Sequence, residues 1–229
     1  MNVLRKPRQT LICASVAAVL ITGAPAAFAL QPEPVSAVEL LAENLQAAAE
    51  IGNVEAAESL VRLAVLNLSD RSELEHILTG DGVLAEATVP QGRIDVVADG
   101  CRVNNSLPSF SPKDQAETTA TTYNVTSHCD QSFLFAGITI TKTRLTGYYQ
   151  TRSGVVISTQ AVSGSVMASY EPGASISFSN QQRYGSGGKG YFSMTVTVTR
   201  SLFGWNHLTR SGTQLMTVNG TGVESFRWA

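Results

Sequence analysis

From residue 36 apolar positions recur every three or four residues, and from residue 83 they recur every second one. The first pattern is that of helices and the second that of strands. In "VSAVELLAENLQAAAEIGN" (35–53), Ser36 and Glu39 have capping-box spacing, so each side chain can satisfy a backbone donor at the other. Gly52 supplies a left-handed residue to end this helix, and Asn53 can cap a second. The second helix, "VEAAESLVRLAVLNL", carries Ala57, Leu60, Val61 and Ala64 as one apolar stripe. Ser72 and Glu75 repeat the capping-box spacing before "ELEHILT", which stops at Gly80. Residues 36–79 therefore read as a helical hairpin plus a short third helix. Helices of this length are marginal alone, so the segment is expected to dock through Leu60, Val61 and Ala64.

At "GDG" (80–82) the period changes. "VLAEATV" and "RIDVVA" read as strands, and Asp99-Gly100 reads as a hairpin turn before "CRVNN". Residues 106–117 read as a loop. "TATTYNVTSHC" and "FLFAGITITKTRLTGYYQ" read as two long alternating strands. "TRSG" at 151–154 turns the chain into "VVISTQAVSGSVMASY", and Pro172-Gly173 turns it again before "ASISFSN". "TRSG" recurs at 209–212, again read as a turn. In "RYGSGGKGYFSMTVTVTR" (183–200), the glycines before Lys189 suggest a phosphate loop. That loop needs Gly, four residues and Gly-Lys-Ser/Thr ahead of a helix. Here Gly190 follows Lys189, and Phe192, Met194, Val196 and Val198 alternate with Ser193, Thr195, Thr197 and Thr199 as in a strand. Residues 185–190 are thus read as a flexible loop between strands. Seven to nine strands are expected in all. The fold class is α+β: an N-terminal helical hairpin followed by an antiparallel β-sandwich, with a barrel as the alternative.

The N-terminus changes the picture of where the chain works. Arg5, Lys6 and Arg8 precede a short apolar run, "LICASVAAVLITG", and Ala27 and Ala29 offer small-x-small cleavage. This is a secretory signal, expected to be cut after Ala29. The organisation becomes a signal peptide over 1–29, an acidic helical segment over 30–81 and an antiparallel β domain over 82–229. The expected location is secreted and extracellular, with no membrane span once the signal is gone. Cys13 leaves with the signal. Cys101 and Cys129 remain, and in an oxidising compartment they are expected to form a disulfide. Residues 30–100 hold thirteen acids against Arg62, Arg71 and Arg93, whereas residues 101–229 hold ten bases against five acids. No basic cluster is dense enough for nucleic acid.

Candidate chemistry is sparse. His128 and Asp130 in "HCD" share a face if the run is a strand, and an Asp that orients a His belongs to a hydrolase triad. No Ser stands in a nucleophile elbow, so the pair is a weak catalytic candidate beside its plain reading as polar neighbours of a half-disulfide. Three histidines without metal spacing imply no metal and no cofactor. His76 suits the last turn of its helix, where a cation complements the dipole. In "LFGWNHL", Gly204 marks a bend that can present Trp205, Asn206 and His207, residue types that grip sugars or protein surfaces. Trp205 can equally plug one end of the sandwich. Tyr148-Tyr149 puts one ring on each face of its strand, so one of the two faces out. The Thr faces of "TITKT" and "TVTVT" can form a flat hydroxyl array, which is otherwise just the wet side of a sheet.

Together these features have the look of a small secreted bacterial protein. The leading functional expectation is a non-catalytic binding or interaction module for a cell-surface glycan or protein. The alternatives are a secreted hydrolase using His128 and Asp130, and an envelope structural protein assembling through its strands. The signal reading yields a direct expectation. Intact mass of exported material should correspond to a chain starting at Leu30, and it should rise by the mass of two hydrogen atoms on reduction of one disulfide.

Overall fold

The computed structural model describes residues 35–79, 94–105, 121–202 and 206–229, with backbone alone at 94, 105, 202 and 206–208. The expected strand at 83–89 and the loop at 106–117 lie outside the described residues. Residues 35–229 form one compact unit of three helices followed by two four-stranded antiparallel sheets. This is the α+β arrangement with a sandwich, and no barrel closes among the described residues.

The helices are α1 (Ala37–Glu50), α2 (Val54–Ala64) and α3 (Leu68–Thr79). Ser36 and Glu39 form the expected capping box on α1, and Gly52 takes the left-handed conformation (φ 91°) beyond its end. Asn53 caps α2, its Oδ1 accepting the Ala56 amide at 3.0 Å. The third helix departs from expectation. Asn67, not Ser72, caps it, with Oδ1 accepting the Asp70 amide at 2.9 Å, so α3 runs for 12 residues. Glu75 is thereby free to reach α1. It accepts the Ser36 hydroxyl at 2.6 Å and the amides of Ala37 and Val38 at 2.7 and 2.9 Å. A carboxylate at a helix N-terminus meets both unpaired donors and the positive end of the dipole. Burial raises the Glu75 pKa, but Ser36, the two amides and His76 outweigh it and hold the carboxyl below its ordinary value.

The buried stripe of α2 also differs from expectation. Ala56, Ser59 and Leu63 are buried, whereas Val61 is 66% exposed and Ala64 faces water. The helix is rotated one residue from the most apolar stripe because Ser59 makes a specific bond: its hydroxyl accepts the Thr139 amide at 3.1 Å. Half-buried Leu60 sits beside this face.

The strands are β1 (Ile94–Asn105), β2 (Thr122–Phe135), β3 (Ile138–Arg152), β4 (Val155–Ser169), β5 (Ala174–Ser186), β6 (Lys189–Leu202), β7 (Asn206–Asn219) and β8 (Gly222–Trp228). Each sheet is a meander, ordered β1-β2-β3-β4 and β5-β6-β7-β8. Four sequence expectations are corrected here. Asp99-Gly100 is no hairpin turn. β1 runs straight through it with a bulge, because Asp99 is held by Ser132 and Lys142. The run from Phe133 is not one strand, since Ala136-Gly137 turns β2 into β3 with both residues at positive φ. The second "TRSG" is not a turn. Gly212 lies within β7, where a Cβ would come within 1.9 Å of the Trp228 ring, so the glycine leaves room for that ring. Finally, 185–190 is not a loop. β5 and β6 meet at a two-residue Gly187-Gly188 turn, both glycines at positive φ, the geometry that matches strand twist in a tight hairpin.

Two apolar clusters result. One joins the helices to the β2–β3 hairpin through Leu41, Leu45, Leu74, Phe135, Ile138, Ile140 and Tyr170. The helical segment therefore docks on the β part as expected, by a different face of α2. The other cluster fills the space between the sheets, with Cys129, Leu145 and Tyr149 meeting Phe192, Met194, Val196, Met216 and Val218. Phe192, Met194 and Val196 of β6 face inward as the alternation predicts. Arg200, on the same inward row, donates to the Ile77 carbonyl at the end of α3 and pairs with buried Glu171. Burial, and then the neighbouring Arg210, work against its charge, and the Glu171 carboxylate works for it.

The sheets approach closely where glycines lie beneath large side chains. A Cβ on Gly147 would lie 2.7 Å from Phe192 and 2.8 Å from Met216. Gly147→Val should therefore destabilise the protein by about 1–3 kcal/mol despite valine's preference for strands. Urea unfolding of the parent and the variant measures the difference.

Candidate functional site

The two outer faces of the sandwich carry the polar chemistry. On the first sheet, β2 and β3 set Asp130 opposite Arg144, His128 opposite Thr146, and Thr126 opposite Tyr148. β1 adds Arg102 opposite His128. The middle of β2 thus presents His128 and Asp130 outward, while Cys129 between them is wholly buried. The shared face expected for His128 and Asp130 is present, but the dyad is not. Asp130 gives both oxygens to the Arg144 guanidinium, at 2.5 and 2.8 Å. Burial raises the Asp130 pKa, but Arg144, with Lys142 and His128, outweighs it and holds the carboxyl below its ordinary value. For His128, burial first and then Arg144 and Arg102 hold the imidazole below 6.5, against the opposite pull of Asp130. At neutral pH the ring is uncharged, and the neighbouring carboxylate is engaged by arginine rather than orienting it.

Beside this cluster, Lys142 joins three elements. Its ammonium lies 2.9 Å from Asp99 in the β1 bulge and 3.1 Å from Glu55 of α2. Burial works against its charge, but the two carboxylates outweigh it and raise its pKa. Glu55 also accepts the Thr139 hydroxyl at 2.9 Å. This network fastens the helical segment to the sheet.

Further along the same face, the Tyr148 ring is 37% exposed. Its neighbour Tyr149 points inward and is fully buried, its hydroxyl 2.9 Å from that of Ser127 and its ring 6.0 Å from Phe192. The expected division of the two rings between faces is met, and Tyr149 belongs to the core. Around Tyr148 stand three amides: Asn124 Oδ1 accepts from Gln150 at 3.1 Å and from Gln160 at 3.4 Å. Gln160 is the extra residue where the β3–β4 register shifts between Tyr148 and Tyr149, which sets it beside the ring. These amides escaped sequence reading because they come from three strands, and only the pairing register collects them.

The other expected binding residues are elsewhere. Trp205 lies outside the described residues. Asn206 and His207 open β7, opposite Leu202 and Ser201 at the far end of β6. Phe192, which contacts Tyr149, is at the start of β6. Ten residues of strand, about 33 Å, separate the two places. Tyr148 and the start of β7 at Asn206 and His207 therefore do not form one platform.

A second aromatic feature was missed. Tyr184 and Tyr191 pair across β5 and β6, their rings stacked with centroids 4.6 Å apart, and Tyr184 is 58% exposed. Their equal distance from Gly187-Gly188 was the available signal, hidden once those glycines were taken for a loop. Near them Lys189 pairs with Glu224 at 2.7 Å.

Cys101 and Cys129 are directly opposite in the β1–β2 register and are joined as a disulfide. Among the described residues no three of His, Cys, Asp and Glu come together as a metal site, and no helix is long and apolar enough to cross a membrane. Compared with protein-family models, with curated proteins and with solved structures, the chain matches none of them.

The electrostatics of His128 are open to direct measurement. An NMR titration of its imidazole should show a midpoint below 6.5, the ordinary value. Arg144→Ala removes a neighbouring cation and releases Asp130, so the midpoint in that variant should rise.

Proposed function

We propose that this chain is an exported, non-catalytic binding module whose first-sheet face recognises a neutral glycan at a cell surface. The observation that carries the reading is the exposed Tyr148 ring beside the amides of Asn124, Gln150 and Gln160. A ring supplies an apolar platform for the C–H face of a sugar at low entropic cost. Side-chain amides offer both donors and acceptors, which matches the alternating polarity of sugar hydroxyls. The platform rests on β2, β3 and β4, not on a loop, so it is preorganised. The engagement of Asp130 by Arg144 supports a binding role over hydrolysis at His128. The signal-like N-terminus and the disulfide suit an oxidising, extracellular setting.

Binding of the full exported chain to cell-wall polysaccharide, measured by pull-down and paired with a thermal melt, tests this. Tyr148→Ala should weaken binding about tenfold, on the order of 1–2 kcal/mol, with an unchanged melt because the ring is exposed. His128→Ala should bind as the parent does. A Tyr148→Ala protein that binds fully would remove this face from the reading, and a hydrolytic activity lost in His128→Ala would replace binding with catalysis.

A further inference from the structure

Two arginines lie at one end of the inner face of the second sheet, and only one of them is paired. Arg200 is 5% exposed and is held by Glu171 and the Ile77 carbonyl. Val198, beside Arg200 on the inward row of β6, stands opposite Arg210 of β7, so Arg210 also turns inward. Its Nε and Nη2 are buried, and among the described residues neither atom meets an acceptor. These two atoms form the side-on edge of a guanidinium. Arg144 uses the same edge to hold both oxygens of Asp130, at 2.5 and 2.8 Å. Burial works against the charge of Arg210, and no carboxylate works for it. A buried charge left unpaired is costly to a fold, so a partner is expected for this edge.

The surroundings of the edge say what that partner is. Gly212, the next inward residue of β7, lies under the Trp228 ring. Trp228 meets Phe133 of the first sheet edge-on, with centroids 5.1 Å apart. Opposite Phe133 on β3 is Thr141, which is buried and whose hydroxyl also lacks a partner among the described residues. One end of the interior thus combines a guanidinium edge, a hydroxyl and two rings. Arg210, Trp228 and Phe133 are only half-buried, so solvent reaches all three side chains. Arg200 and Arg210 together exceed Glu171 by one positive charge. A single carboxylate restores neutrality, whereas a phosphate dianion would overshoot it and a neutral sugar would leave the cation unpaired. The rings accept an apolar body beside the charge. We propose that this end of the sandwich binds an organic monocarboxylate with an apolar or aromatic body, its carboxylate on the Nε–Nη2 edge of Arg210 and its body against Trp228 and Phe133. The site is separate from the Tyr148 face, and either can fail without the other.

NMR titration of the full exported chain with benzoate and with octanoate reads the proposal through the Trp228 indole N–H and the Arg210 Nε–H. One of the two acids should shift both signals saturably. The matching alcohol, benzyl alcohol or octanol, carries the same body without the charge and should bind at least tenfold more weakly. Inorganic phosphate should not displace the acid. Arg210→Met keeps the apolar stem and should weaken binding of the acid at least tenfold. Without ligand it should melt no lower than the parent, because it removes an unpaired buried cation. Arg152→Met, which removes an exposed arginine at the opposite end of β3, should bind as the parent does. Should Arg210→Met fold poorly, Arg210→Lys keeps a cation without the two-pronged edge and should lose most of the preference for acid over alcohol. A parent that neither acid shifts saturably overturns the proposal. So does equal affinity for acid and alcohol, or parental affinity in a well-folded Arg210→Met protein. Displacement of the acid by phosphate also overturns it and assigns the edge to an inorganic anion.

Discussion

The two sheets meet side chain against glycine, and much else depends on that. Gly147 lies under Phe192 and Met216, and Gly164 lies under Met194 and Phe178. At these two contacts the second sheet supplies the bulk and the first supplies the space. Packed sheets stand about 10 Å apart, so large groups from one side need small ones opposite. The bulk is thereby spent inward. The outer faces carry hydroxyls, amides and ion pairs, with Tyr148 on the first sheet and the stacked tyrosines on the second. Toward the other end of the interior the filling turns polar, where Gln214 donates to Thr143 at 2.8 Å and to Gln131 at 3.3 Å.

The helical segment answers a different need. The β2–β3 hairpin ends in Phe135, Ile138 and Ile140, which the second sheet does not cover. Three helices cover them, and polar contacts fix how they lie. Glu75 ties α3 to the start of α1, Lys142 ties α2 to β3 and to the β1 bulge, and Arg200 ties the end of α3 to β6. The opposite charges of the two halves of the chain act here through named, half-buried pairs at short range, not as a diffuse attraction between surfaces.

The sequence made the fold class legible because the change from helical to alternating period is sharp and long. It made Phe192 to Val198 legible for the same reason. Boundaries failed where one dipeptide serves two geometries. Asp99-Gly100 suits a turn, yet a bulge uses the same backbone freedom. Ala136-Gly137 makes a turn without the Asn or Asp that usually marks one, so the strand was carried through it. The stripe of α2 was misplaced by one residue because a serine lies at its centre, and hydrophobicity cannot foresee a side chain that bonds a strand amide. At the candidate sites, the outward turn of Tyr148 was readable from alternation, but its amide neighbours and the Tyr184–Tyr191 stack depend on register. A list of residues does not contain register.

The bridge between Cys101 and Cys129 joins unequal partners. Cys129 is sealed in the core, whereas every described side chain of β1 from Asp95 to Asn104, Cys101 included, is exposed. β1 is the edge of its sheet among the described residues, and little apolar burial holds it there. β1 and β2 belong to one chain and pair intramolecularly in either redox state, and the disulfide adds a second, much shorter tether that removes entropy from the detached state. Reduction would leave the lateral border of the first sheet to the β1–β2 ladder and to the contacts of Asp99 with Ser132 and Lys142.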